Sequence, residues 1–265
     1  MNNSNNNFYS QHGEDILAHN VLTSASEPNY FVEVGMIDGK RFSNTLALEE
    51  RGWSGLCIEA HPQYVDMVRQ NRPGSAVIHA AASDKAGDNL PFYADPRGDL
   101  SSLQPRDESE LKERFGHWFQ GYDVVNVPVR TLNDMFYEAG VPQNFDLLSI
   151  DIEGGELDAL KGLDLNVYRP RMMILEADDI TTLHSFNNYL IDFGYRHART
   201  VGVNAIYTRT VRDLLRVHTT RIHDNVTHTA HPIDNTVTEQ TYIPSAYETR
   251  SQFASRIIRS FFNAA

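Results

Sequence analysis

YFVEVGMIDGKRFSNT, residues 30–45, decides the fold. It opens as an apolar, β-branched run (Tyr30, Phe31, Val32, Val34) interrupted only by Glu33, and then passes Gly35 and Gly39. A run of that kind closed by glycine predicts a buried parallel strand entering a tight turn. With no Cβ at Gly35, backbone can come close to a ligand at the strand's carboxyl end. Ser43, Asn44 and Thr45 offer N-caps to a helix starting near Leu46. Strand, glycine turn and helix N-terminus together make a cradle suited to a nucleotide. An ordinary βα turn uses the same residues, and only the flanking sequence separates the two.

Around that stretch, 265 residues suffice for one large domain, or one domain with an appendage, and for a sizeable core. A net charge of −12 argues against nucleic acid as partner, because phosphate binding needs a basic surface, but suits a cationic ligand. The single cysteine, Cys57, fits a reducing, cytoplasmic compartment and reads as a packed thiol in an apolar strand. No uncharged run approaches the length of a membrane span. Residues 1–8 read as a polar, disordered leader. Residues 9–22 carry a helical apolar face behind a dense polar cluster, Gln11, His12, Glu14 and Asp15. That cluster fits a solvated first turn whose acids suit the helix dipole, with ligand contact as the close alternative.

The second strand, residues 56–60, ends in Glu59 and Ala60, and Glu59 lies 24 residues after Gly35. That is near the spacing at which an acid on strand two accepts hydrogen bonds from both ribose hydroxyls. His61 and Pro62 open a helix, and a third strand spans 76–84. Its small tail (Ala80, Ala81, Ala82, Ser83) leaves room for a flat ring such as adenine. From 88 to 122 the periodicity weakens; the segment reads as a substrate-side insertion or lid with a charged helix over 108–119. Another strand follows at 123–129, then a short helix capped by Thr131.

FDLLSIDIEGGELDALKG, residues 145–162, is the second informative stretch. A buried strand there ends in Asp151 and Glu153, and charges at the mouth of a buried strand need a ligand, a metal or a partner. RPRMMILEADD, residues 169–179, repeats the pattern with Glu176 and Asp178. Asp151, Glu176 and Asp178 could form an oxygen-rich site for Mg²⁺ or another divalent cation. A helix over 181–193 and a hairpin of 195–200 with 204–208 complete the pattern. Strands alternating with helices predict an α/β, doubly wound, mostly parallel sheet with helices on both faces. The domain is read as 9–210 and an appendage as 211–265. Within the appendage, 251–263 has an apolar face that could dock on a second subunit, on a membrane surface or on the chain's own core. The scattered histidines of that region lack metal spacing.

Taken in order, SQHGED (10–15), FVEVGMIDGKRFSNT (31–45), GWSGLCIEAHP (52–62), VPVRTLNDM (127–135), the 145–162 stretch and RPRMMILEAD resemble the FkbM family of S-adenosylmethionine-dependent methyltransferases. The resemblance implies a class I methyltransferase sheet of seven strands, the last antiparallel, with S-adenosyl-L-methionine as cofactor. Glu33, Gly35, Asp38 and Gly39 would then follow its methionine part, with Ser43, Asn44 and Thr45 closing the turn. Glu59 and Ala60 would take the ribose, and Ala81, Ala82 and Ser83 the adenine. Gln11 and Asp15 would contact cofactor or substrate. Met36 stands where the family usually has a small residue. Asp151 is the expected base, supported by Glu153 and also near the cofactor. The implied acceptor is a hydroxyl of a sugar, glycan or glycosylated metabolite. An amine is disfavoured, since Asp151-Ile152-Glu153-Gly154 stands where amino-methylating relatives carry Asn/Asp-Pro-Pro-aromatic. The alternatives are a non-catalytic partner module that keeps the cofactor pocket, and an NAD-dependent oxidoreductase, which Gly35 and Gly39 fit poorly without G-x-G-x-x-G spacing.

Overall fold

The computed structural model describes residues 7–23 and 29–222; the 251–263 segment and most of the leader lie outside them. In chain order the elements are α1 (Glu14–Leu22), β1 (Tyr30–Val34), α2 (Leu46–Glu49), β2 (Ser54–Glu59), α3 (Pro62–Asn71), β3 (Ser75–His79), β4 (Ala81–Ala82), β5 (Gly87–Ala94) and α4 (Glu108–Phe115). They continue as β6 (Asp123–Arg130), α5 (Leu132–Ala139), β7 (Leu147–Ile150), α6 (Glu156–Lys161), β8 (Met172–Glu176), α7 (Ile180–Leu190), β9 (Arg196–Val201), β10 (Asn204–Thr208) and α8 (Val211–Thr219).

The apolar runs at β1, β2, β7, β8 and β10 are buried almost end to end, as strands covered on both faces must be. They lie in a seven-stranded sheet of order β3-β2-β1-β7-β8-β10-β9, parallel except that β10 runs against both neighbours. That is the class I methyltransferase order, with the last strand reversed. One face packs on α5, α6 and α7 through Leu132, Phe136, Leu160 and Phe186. The other packs on α1, α2, α3 and α8 through Leu17, Leu48, Val68 and Leu214. Each such side chain contributes about 1.5–3 kcal/mol of burial. Leu214 and Val217, which the sequence puts in the appendage, are thus part of the core.

One expectation needs correction. The single strand expected at 76–84 breaks at Ala80, and β4 pairs instead with β6. β6 in turn pairs antiparallel with β5, so these three form a separate small sheet of order β4-β6-β5. β5 has no visible period because four consecutive residues, 88–91, are exposed on this edge strand. Among the described residues no helix is long and apolar enough to cross a membrane.

Candidate active site

The strand order reverses between β1 and β7, and a cleft opens there beyond the carboxyl ends of the strands. Gly35 sits at this point with φ +74°, and a Cβ on it would lie 1.8 Å from the carbonyl oxygen of Asp151. The close approach is therefore first to the neighbouring strand. Gly35 lets β1 and β7 stay paired to their last residues, with Asp151 N–H donating to the Val34 carbonyl at 3.0 Å.

The turn after β1 is held by two carboxylates. Glu59 Oε2 accepts from the amides of Met36 (3.0 Å) and Ile37 (2.9 Å), and Oε1 accepts from His61 N–H at 2.7 Å. A carboxylate has about four acceptor positions; these three amides, with that of Ala60 also pulling on the group, leave at most one for a ligand hydroxyl. The bidentate grip on a diol expected from the sequence has room for one hydrogen bond unless the loop amides yield. Burial pushes the Glu59 carboxyl up, against the pull of these amides.

Glu33 is buried and turned toward the protein: it accepts from Asn44 N–H (2.7 Å), Ser43 Oγ (2.9 Å) and Thr45 Oγ1 (2.6 Å). Arg72, fully buried, pairs with Glu33 at 3.0 Å and Glu49 at 2.8 Å, and donates to Thr45 Oγ1 at 2.7 Å. Sequence reading missed Arg72. The acid Glu33 inside a buried strand was the available signal, since an isolated buried charge demands a partner.

The cleft wall contains Gln11, Glu33, Gly35, Ser43, Asn44, Glu59, Ala60, Ala81, Ala82, Ser83, Asp151, Glu153 and Asp178 from the sequence-derived set. Several others lie elsewhere. Asp15 is fully buried, accepting from Tyr9 N–H (2.6 Å) and Ser10 Oγ (2.6 Å), and burial pushes its carboxyl up to about 6. It fastens the segment that carries Gln11 and His12 instead of reaching a ligand. Asp38 accepts from the amides of Lys40 and Arg41, shaping the turn (both 2.8 Å). Gly39 backs onto Arg72, and Thr45 is spent on Glu33.

The far end of the cleft is acidic. Carboxylate oxygens of Asp151, Glu153 and Glu176 lie within 4.8 Å of one another. Burial and mutual repulsion push the Asp151 carboxyl up to about 7, and those of Glu153 and Glu176 well above the usual range. Glu153 sits at φ 60°, its loop held by Glu156, which accepts from the amides of Ile152 (3.0 Å) and Gly154 (3.1 Å). The converging acids differ from the expected metal set in having Glu153 in place of Asp178, which lies beside them on Arg106. That arginine, also missed, pairs with Glu153 and Asp178 at 3.0 Å each.

Arg106 belongs to the segment 95–122, which crosses the cleft mouth and contributes Leu100, Leu103, Arg106, Arg114, Phe115 and Trp118 to its wall. The segment has a small core of its own, Leu100, Leu111, Phe115 and Phe119. Its charged helix runs from Glu108 to Phe115 and tightens into a 3-10 turn over Gly116–Trp118, close to the span expected.

The model of the methyltransferase FkbM domain matches residues 33–197, more than half of the chain. The chain belongs to this family. A methyltransferase, sdnD, from Sordaria araneosa is 29% identical over 132 residues, 41% of this chain and 51% of the relative, so the chain spans about half the length of the curated relative it matches. Among solved structures, an O-methyltransferase from Bacillus cereus in complex with SAH has 13% identity and a TM-score of 0.43 over 77% of this chain and 83% of its own. A precorrin-6y C5,15-methyltransferase from Geobacter metallireducens has 14% identity and a TM-score of 0.42 over 74% and 88%. The FkbM domain spans β1 to β9, so it includes both the glycine turn and the acidic end of the cleft.

Proposed function

We propose that this FkbM-family chain transfers a methyl group from S-adenosyl-L-methionine to a hydroxyl of a sugar, glycan or glycosylated metabolite. The observation that carries the reading is the asymmetry of the cleft. One end has small residues (Ala81, Ala82, Ser83) and the buried acceptor Glu59, which suit an adenosine. The other has a carboxylate whose proton affinity is raised to about 7. A base poised near the working pH is what removal of a hydroxyl proton needs.

The cofactor supplies a methyl on a positively charged sulfur. Attack of the acceptor oxygen on that carbon would leave the bonding pair on sulfur as a neutral thioether, with Asp151 placed to take the hydroxyl proton. Since the donor is already activated, the chain's main task is alignment. Glu176 is the neighbouring group that hydrogen-bonds to Asp151 and opposes its upward shift. With Glu176 holding its own proton as the donor, Asp151 is left as the acceptor. Trp118, one face of which carries Arg97 at 3.8 Å, lines this part of the cleft and is the aromatic side chain against which a sugar ring can rest. Segment 95–122 acts in this reading as the lid over the acceptor.

The divalent-cation reading fits these residues poorly. Of the three acids expected to bind the ion, Asp178 is committed to Arg106, and Glu153, which takes its place in the cluster, is paired with the same guanidinium.

The test is transfer of labelled methyl from S-adenosyl-L-methionine to a panel of free and glycosidic sugars, beside the corresponding amines. Product on hydroxyl acceptors supports the reading. Binding of the cofactor with transfer only to amines would overturn the choice of acceptor.

A further inference from the structure

We propose that Arg106 is a positioning residue: a latch that closes segment 95–122 over the cleft and is the resident countercharge of its acidic end, in the place a divalent cation would otherwise fill. The inference rests on the methyl-transfer reading for its effect on turnover, but not for the latch itself.

The segment is attached on two sides, and the attachments differ in kind. On the β2 side they are many and involve its backbone: Tyr64 hydroxyl donates to the Pro96 carbonyl (2.9 Å), Arg41 to the Arg97 carbonyl (2.6 Å), and His61 Nε2 lies 3.2 Å from the Asp95 carbonyl. Arg41 also pairs with Asp99 at 2.8 Å. On the β7–β8 side the polar contacts of its side chains are those of Arg106 and a 3.3 Å bond from Gln104 to Asp158. A segment pinned along one edge and tied by one or two side chains along the other opens at the second edge, where less is lost.

Charge makes Arg106 more than a fastener. Asp151, Glu153, Glu176 and Asp178 crowd one end of the cleft, and Glu156 is close enough to add to the repulsion felt by Asp151. The Arg106 guanidinium is only partly exposed and touches two of these acids at 3.0 Å. Both contacts are made by one nitrogen, Nη2, and reach carboxylates in the loops that follow β7 and β8, so a single cationic group ties the two strand mouths together. It offsets the negative field with a group the chain itself carries, and it does so only while the segment is closed. Closure and charge balance at the acceptor end are thus one event.

The experiment is hydrogen exchange over 99–119 in the intact protein and in Arg106→Gln, with titration by S-adenosylhomocysteine and by Mg²⁺ and Mn²⁺. Loss of charge-assisted bonds of this kind shifts an opening equilibrium by roughly tenfold or more, and exchange in this segment is expected to rise accordingly while β1 and β7 stay protected. Glu153→Gln combined with Asp178→Asn should loosen the same segment from the other side of the pairs. Turnover of Arg106→Ala should fall with S-adenosylhomocysteine affinity held, and should recover in part with added ethylguanidinium and not with Mg²⁺ or Mn²⁺. Unchanged exchange in both variants would overturn the latch. Divalent binding to the parent, with turnover lost on chelation, would overturn the countercharge. Failure of the parent to bind S-adenosylhomocysteine would instead strike at the methyl-transfer reading and leave the exchange result standing.

Discussion

Two arginines meet carboxylates in this molecule, and their surroundings differ. Arg72 is fully buried between Glu33 and Glu49, with Ser43 and Thr45 hydroxyls filling remaining positions. Arg106 bridges Glu153 and Asp178 at the cleft, partly open to water, beside two more acids that it does not touch. The first group has its carboxylates matched by donors from the protein around a fully buried guanidinium, and it holds the turn after β1 in shape. The second has more carboxyls than its cation can balance, and burial together with their mutual repulsion raises Asp151, Glu153 and Glu176 above the ordinary carboxylate range. Residue types alone do not distinguish a structural from a chemical cluster. Completeness of pairing does.

The comparison can be broken most severely at Arg72. Arg72→Met leaves Glu33 buried without its countercharge and removes that of Glu49, and loss of one member of a buried pair costs about 3–5 kcal/mol. Urea unfolding is expected to register a loss of that order, and a loss under 1 kcal/mol would make the buried network dispensable.

At the other cluster the effect should fall on chemistry. Asp151→Asn keeps the shape and removes the proton acceptor, so turnover should drop by roughly 10²–10⁴-fold. S-adenosylhomocysteine affinity, followed by calorimetry, should stay close to the parent's. Retained turnover would remove Asp151 from the mechanism.

The acidic end also sets a pH dependence of definite sign. Asp151 is raised from an ordinary carboxylate value to about 7, so between roughly pH 4 and 7 the folded protein binds more protons there than the unfolded chain does. Its contribution to stability is complete below the ordinary carboxylate range and is lost as pH rises through about 7. Turnover should rise over the same upper limb, as the carboxylate form accumulates. Asp151→Asn should flatten this part of the stability profile, and a slope unchanged in the variant would place the titration elsewhere.

The smallest effect supplies the baseline. Arg69 and Asp66 pair at 2.7 Å on the exposed face of α3, and exposed pairs of this type contribute about 0–1 kcal/mol. Asp66→Ala should leave the urea midpoint almost where it was. A larger shift would mean that geometry alone, without burial, governs these arginine pairs.

Much of the sheet was legible because burial on both faces writes itself as apolar runs. β1, β2, β7 and β8 follow from 30–34, 56–60, 145–150 and 172–175, and Asp151, Glu153 and Glu176 follow from acids at strand mouths. The small sheet was not legible. β5 carries Pro91 and a run of exposed residues, so neither alternation nor an apolar run marks it. Roles within the carboxylate set were equally hidden. Glu33 and Asp178 are as acidic in sequence as Glu59 and Asp151, but their partners, Arg72 and Arg106, lie far away along the chain. A carboxylate already satisfied by protein cannot be told from one awaiting a ligand until those partners are placed.

The most direct measurement is a crystal structure of the protein with S-adenosylhomocysteine. Density for adenosine along Ala81, Ala82 and Ser83, with one ribose hydroxyl on Glu59 and the sulfur facing Asp151, is the expected result. Ligand bound outside this cleft, or in it with the sulfur turned away from the acidic end, would contradict the account.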